Sequence, residues 1–133
     1  MEKEIAVDAS AIIAVIAYEP ERATLIELTR GADLVAPLSL PWEIGNAFSA
    51  MLKRRRVSLE QTIEAIRIYN SIPIRLVEVD LEEALRLAAR LNIYAYDAYL
   101  LCCAERYEAP LLSLDRDLVS AAVALGLPVL EVP

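Results

Sequence analysis

A chain of 133 residues, 57% hydrophobic and 25% charged, is long enough to bury its own core, and this composition excludes a disordered segment. With no histidine, three glycines, and lysine only at Lys3 and Lys53, it excludes histidine acid–base chemistry, a Ser-His-Asp triad, histidine zinc sites, a P-loop and a Gly-x-Gly-x-x-Gly turn. The net charge of −7 opposes direct binding of a polyanion, although carboxylates holding a dication would present positive charge to phosphate.

Short β-branched runs alternate with longer helical patterns, which predicts a parallel sheet with helices on its faces. The first strand is Glu4-Ile5-Ala6-Val7-Asp8, ending in an acid, and residues 9–17 read as a helix. Glu19-Pro20-Glu21 restarts a helix, with proline in its first turn and acids at the positive end of its dipole. It runs to about Arg30, where Gly31 stops it. Leu34-Val35-Ala36 is a very short second strand. Pro41 opens a helix to about Arg55, with Trp42, Phe48 and Met51 or Leu52 expected in the core. Ser58-Leu59-Glu60-Gln61 has the capping-box spacing and starts a helix that ends before Pro73. Residues 75–79 form the third strand, and Asp80 caps a helix from Leu81 to about Leu91. Another helix spans Tyr96 to Tyr107, and residues 110–114 form the fourth strand. Asp115 begins a helix to about Leu125 that Gly126 stops, and residues 128–132 are read as a last strand.

No repeat, low-complexity tract or linker divides the chain, so a single domain over residues 1–133 is expected. Glu2, Lys3 and Glu4 precede the first apolar run and Asp8 interrupts it, which argues against a bilayer span and a secretory leader. The cytoplasm is the expected location, with no membrane partner. Cys102 and Cys103 are adjacent within a helical pattern and read as small hydrophobes, without a disulfide or a metal role.

The chemistry must then come from carboxylates. Open α/β sheets bind ligands at the carboxyl ends of their strands. Asp8 ends the first strand and Asp115 follows the fourth, while Glu43 and Asp97 lie in first helical turns. In βα units helix starts and strand ends share one edge, so these four acids can converge. Four oxygen donors without nitrogen or sulfur suit Mg²⁺ or Mn²⁺. Each acid also has a purely structural reading: Asp8, Asp97 and Asp115 as helix N-caps, Glu43 as a dipole partner. Asp117 reads as a solvent-facing residue or a further metal contact. Asn46, one turn after Glu43, is either a surface amide or a support for that carboxylate or the substrate. Arg54, Arg55 and Arg56, with Lys53, form the one dense basic run. It reads either as favourable charge at a helix C-terminus or as a phosphate contact beside the acidic pocket.

Val7-Asp8-Ala9-Ser10-Ala11, Glu43-Ile44-Gly45-Asn46-Ala47, Tyr96-Asp97-Ala98-Tyr99 and Leu112-Ser113-Leu114-Asp115-Arg116-Asp117-Leu118 follow one another in the order of the motifs of PIN-domain ribonucleases. Their order and spacing resemble the VapC toxins of toxin–antitoxin pairs, over residues 5 to about 130. The resemblance implies an α/β/α sandwich, three layers around a short central parallel sheet. It implies Mg²⁺ or Mn²⁺ held by Asp8, Glu43, Asp97 and Asp115, with the hydroxyls of Ser10 and Ser113 orienting carboxylates or touching phosphate. Threonine is usual in that family where Ser113 stands. The implied activity is that of an endoribonuclease, the toxin of a type II pair. It would activate water for in-line attack and leave 5′-phosphate and 3′-hydroxyl ends. A cognate antitoxin and a homodimer are the implied protein partners.

Two other readings compete. An aspartyl-phosphate phosphatase or receiver domain also places Asp at a strand end, but the phosphatase pattern wants a second Asp where Ser10 stands. Both classes also need a lysine near the site, and Lys3 and Lys53 are badly placed for that. A non-catalytic PIN-like module that binds RNA or protein is the second alternative; four intact acids argue against it.

Overall fold

The computed structural model describes residues 3–133. Met1 and Glu2 lie outside them, and with Glu2 one of the charges expected ahead of the first strand. The elements run β1 (Lys3–Val7), α1 (Ala9–Ile16), α2 (Arg22–Leu28), β2 (Ala32–Pro37), α3 (Leu40–Lys53), α4 (Leu59–Ser71), β3 (Ile74–Val77), α5 (Leu81–Leu91), α6 (Ala95–Arg106), β4 (Leu111–Leu112) and α7 (Arg116–Ala124).

The sheet has the order β3-β2-β1-β4. Every pairing is parallel, with Ala6 opposite both Val35 and Leu111. Side chains alternate across a strand, and this alternation divides the core. Ile5, Val7, Ala36 and Leu112 pack with α1, α2, α3 and α4 on one face. Ala6, Val35, Val77 and Leu111 pack with α6 and α7 on the other, where Leu87 and Leu91 of α5 join them. The expected three-layer α/β/α sandwich around a parallel sheet is therefore what forms. It explains why residues 5–7 of β1 read as an unbroken apolar run: Ile5 and Val7 are buried on one face of the sheet and Ala6 on the other.

The order also defines where a ligand belongs. The chain progresses outward from β1 to β2 to β3 using helices on one face. It then returns through α5 and α6 on the other face to place β4 on the far side of β1. The carboxyl ends of β1 and β4 thus flank the point at which the winding reverses, the usual crevice of such sheets.

Local signals hold at most boundaries. Ser58 and Gln61 make the reciprocal capping box of α4, and Asp80 caps α5 through the Glu83 N–H. Gly31 and Gly126 take positive φ beyond α2 and α7. Pro20 lies in the turn ahead of α2, which starts at Arg22.

Two expectations are corrected. Trp42 is not in the core and is 72% exposed. The buried stripe of α3 is Leu40, Ile44 and Phe48, and this spacing of four turns Trp42 to the opposite side. Residues 128–132 do not form a strand; a single parallel bridge joins Val129 to Leu111. Their partner β4 is itself only two residues long, because Ser113 and the residues after it leave the ladder to build the site. Pro128 and Pro133 also lack the N–H that a ladder requires.

Candidate active site

Asp8 stands where β1 meets α1, and its backbone N–H donates to the Leu112 carbonyl of β4 at 3.3 Å. Its side chain is partly buried and both of its oxygens accept hydrogen bonds. Oδ1 accepts the Ser10 hydroxyl at 2.7 Å and the Ala11 N–H at 3.1 Å. Oδ2 accepts the Ser113 hydroxyl at 2.7 Å. The N-cap reading of Asp8 is therefore met, and the same side chain lines the cavity described below. The two serines also tie the crossing chain in place. Leu114 N–H donates to Ser10 Oγ at 2.9 Å, and Asp115 N–H donates to Ser113 Oγ at 2.9 Å. These bonds replace ladder bonds and end β4 at Leu112.

Asp115 caps α7, its Oδ1 accepting the Asp117 and Leu118 N–H groups at 3.0 and 3.3 Å. Glu43 lies in the first turn of α3 and its Oε2 accepts the Ser39 hydroxyl at 2.9 Å. Asp97 occupies the first turn of α6. All four acids line one cavity of about 170 Å³, walled by Pro37, Leu40, Tyr96, Leu100 and Leu118. A wider cleft of about 890 Å³, between α7 and residues 129–133, holds none of them.

The acids feel one another. Burial pushes the Asp8 carboxyl above its ordinary range, against its hydroxyl bonds, and the charge of Asp115 adds to the rise. Burial raises Glu43 to about 7; Ser39 opposes this, and Asp8 and Asp97 reinforce it. Asp97 is raised by burial and then by Asp115, Asp8 and Asp117. A dication would relieve the desolvation and the repulsion together. An all-oxygen donor set at one cavity is the chemistry that Mg²⁺ or Mn²⁺ takes. Among the described residues no three His, Cys, Asp or Glu side chains form a ready-made cage, so the acids share a cavity without already meeting at one point.

The supporting residues divide. Ser10 and Ser113 do orient a carboxylate. Asn46 is exposed, and it is Ser39 that holds Glu43. Ser39 escaped the sequence reading, although it stands one turn before Glu43, the spacing at which helix-start side chains meet. Asp117 is exposed and lies outside the cavity lining. Arg54, Arg55 and Arg56 are exposed at the C-terminal end of α3, whereas Glu43 is at its N-terminal end. Eleven residues of helix separate Glu43 from Arg54, roughly 16 Å. The basic run is thus not beside the acidic pocket, as its sequence reading had it.

The PIN domain family model matches residues 5–124. The chain belongs to the PIN domain family. Among solved structures it is similar to PAE2754 from Pyrobaculum aerophilum, at 25% identity and a TM-score of 0.68, covering 91% of this chain and 87% of that one. It is also similar to Mycobacterium tuberculosis VapC20, described as a sarcin–ricin loop cleaving toxin, at 17% identity and a TM-score of 0.64. That match covers 88% of this chain and 94% of VapC20, and it is a likeness of fold. By sequence, no curated protein matches the chain. Among the described residues no helix is long and apolar enough to cross a membrane.

Proposed function

We propose that this chain is a metal-dependent endoribonuclease acting as the toxin of a type II toxin–antitoxin pair. The observation that carries the reading is Asp8, clamped by two serine hydroxyls at the winding reversal and facing a cavity shared with Glu43, Asp97 and Asp115. These four residues are the proposed ligands of Mg²⁺ or Mn²⁺. When bound, the ion supplies an acidified water and charge neutralisation at the scissile phosphate. The chain's own part is orientation. Ser10 and Ser113 fix both oxygens of Asp8, and Ser39 fixes one oxygen of Glu43. Capping of α7 fixes Asp115 through Oδ1. Pro37, Leu40, Leu100 and Leu118 give the cavity apolar walls that limit water. Water, rather than the ribose 2′-hydroxyl, would attack phosphorus in line and expel the 3′ oxygen, which leaves a 5′-phosphate on one product and a 3′-hydroxyl on the other.

A cognate antitoxin that covers this cavity, a homodimer and a cytoplasmic location belong to the same reading. It is supported by membership of the PIN family and by the fold shared with a toxin.

The test is cleavage of mixed labelled RNAs with Mg²⁺, Mn²⁺ or EDTA, beside Asp8→Asn. Metal-dependent cutting that the variant loses is the expected result. Cutting that survives both EDTA and Asp8→Asn, or major 2′,3′-cyclic phosphate products, would overturn the reading. Tight antitoxin binding with no metal affinity would favour a non-catalytic module.

A further inference from the structure

Eleven arginines carry most of the chain's positive charge, and ten of them have a local reason to stand where they do. Four are in ion pairs with glutamates. Arg22 donates from Nε to the Val15 carbonyl at 3.0 Å and lies over the Tyr18 ring. Five stand at the C-terminal ends of α3, α5 and α6, where the helix dipole favours a cation. Arg116 is the exception. It is the first residue of α7, at the positive end of that helix, where a cation is disfavoured. It is exposed, and among the described residues it joins none of the ion pairs or aromatic contacts. Val119 and Ser120, one turn on, offer it no carboxylate.

Its surroundings give the charge a use. Asp115 lines the carboxylate cavity, whereas Arg116, the next residue, lines the neighbouring cleft of about 890 Å³ together with Ser113 and Leu114. No other Lys or Arg lines the cavity or this cleft. Along the sequence, the nearest other cation to any of the four acids is Lys3. It begins β1, roughly 16 Å from Asp8 beyond the strand's other end. A polyanion that brings one phosphate to four carboxylates is repelled on the way, and charge neutralised inside the cavity serves that phosphate alone. The next phosphate along the strand lies outside. A guanidinium at the cavity's edge can take it through paired N–H donors. The cleft as a whole does not attract a polyanion, since Glu21 and Glu131 line it too. The contact belongs to the rim that Arg116 shares with Asp115.

We infer that Arg116 is a substrate-binding residue whose guanidinium holds the RNA phosphate next to the scissile one, where the strand passes from the carboxylate cavity over the start of α7. This rests on the nuclease reading for its substrate. It adds a cation to a site otherwise built of acids and hydroxyls.

The test uses the full-length protein and an unstructured, labelled oligoribonucleotide in three forms. One is unmodified; the others carry a neutral methylphosphonate in place of the phosphate on the 5′ or the 3′ side of the cut. Arg116→Gln is expected to raise KM for the unmodified RNA about tenfold, with kcat little changed. By anisotropy in EDTA, it should reduce the slope of log K against log salt by about 0.7. Arg116→Lys keeps the charge and should restore the slope. One of the two methylphosphonates should cost the wild type a similar factor in KM and cost Arg116→Gln nothing further, the mark of a shared contact. Arg116→Gln should melt no lower than the wild type, because it removes a cation from a helix N-terminus. An unchanged KM and slope in Arg116→Gln overturn the contact, and so do losses from the variant and from both methylphosphonates that simply add. A lower melting temperature with an unchanged KM would make Arg116 a structural residue. RNA that binds with an Arg116-dependent slope but is never cut would sink the nuclease reading and leave the contact standing. Cutting indifferent to Arg116 would do the reverse.

Discussion

Both oxygens of Asp8 depend on serine hydroxyls that do two jobs each. Ser113 donates to Asp8 Oδ2 and accepts the Asp115 N–H, at 4% exposure. Ser113→Ala leaves a buried acceptor and a donor without partners. It should cost about 1–3 kcal/mol in urea denaturation. Glu43 predicts a pH effect. Its carboxyl is raised to about 7 in the fold, against 4.5 for the free group. The fold therefore holds the proton more tightly than the unfolded chain does. The associated stability is complete below about pH 4.5 and is lost as pH rises through about 7. Asp8 and Asp97 shift in the same direction. Without metal, the protein should melt a few degrees lower at pH 8 than at pH 5, and Mg²⁺ should reverse the loss. Glu43→Gln should flatten the pH profile and weaken the response to Mg²⁺. At this scale Asp8 and Asp115 were legible because each stands at the end of an apolar run, and Glu43 and Asp97 because each lies in a first helical turn on the same sheet edge. Ser39 was not, because a serine ahead of a helix has an ordinary meaning as a cap. In the fold it makes no cap bond and turns to Glu43 instead.

The elements follow from local rules wherever a cap or a stop residue fixes an end. The box at Ser58 and Gln61 starts α4 where its spacing predicted. Ser58→Ala should lower stability by about 0.5–2 kcal/mol in thermal melts and leave metal-dependent cleavage unchanged. Elements whose ends are fixed by tertiary partners were less legible. The apolar run at 110–114 yields only Leu111 and Leu112 as a strand, since Ser10, 104 residues away from Leu114, takes that residue's N–H. The run at 128–132 has strand composition but finds only one bridge to pair with. Trp42 reads as core by its aromatic character alone, but its angular position on α3, opposite Leu40, Ile44 and Phe48, turns it outward.

The whole molecule separates charge by sign along one helix. Glu43 faces the acidic cavity at one end of α3, and Arg54, Arg55 and Arg56 are exposed at the other. A substrate that touches both must extend roughly 16 Å beyond the cavity. Replacing the three arginines with glutamine should spare cleavage of very short RNA. For longer single strands it should weaken binding and reduce the slope of log K against log salt by roughly 2. An unchanged slope would leave the run as a helix-terminal charge cluster. The core carries the rest of the stability. Leu112 is 1% exposed, between the sheet and α1, and Leu112→Ala should cost about 2–5 kcal/mol. The sandwich itself was legible from the alternation of strand and helix patterns. The strand order was not, because nothing local shows that β4 returns to the side of β1.

That return has a consequence for biosynthesis. In chain order Asp8 is made first, and the hydroxyl that holds its second oxygen arrives 105 residues later. Asp115 follows two residues after that. A nascent chain stalled before Leu111, or a fragment clipped there, carries three of the four acids without the strand that joins them into one pocket. Assembly of the pocket therefore waits on residues 111–115, the last of its parts in chain order, and β4 is the clasp that turns separate acids into one site.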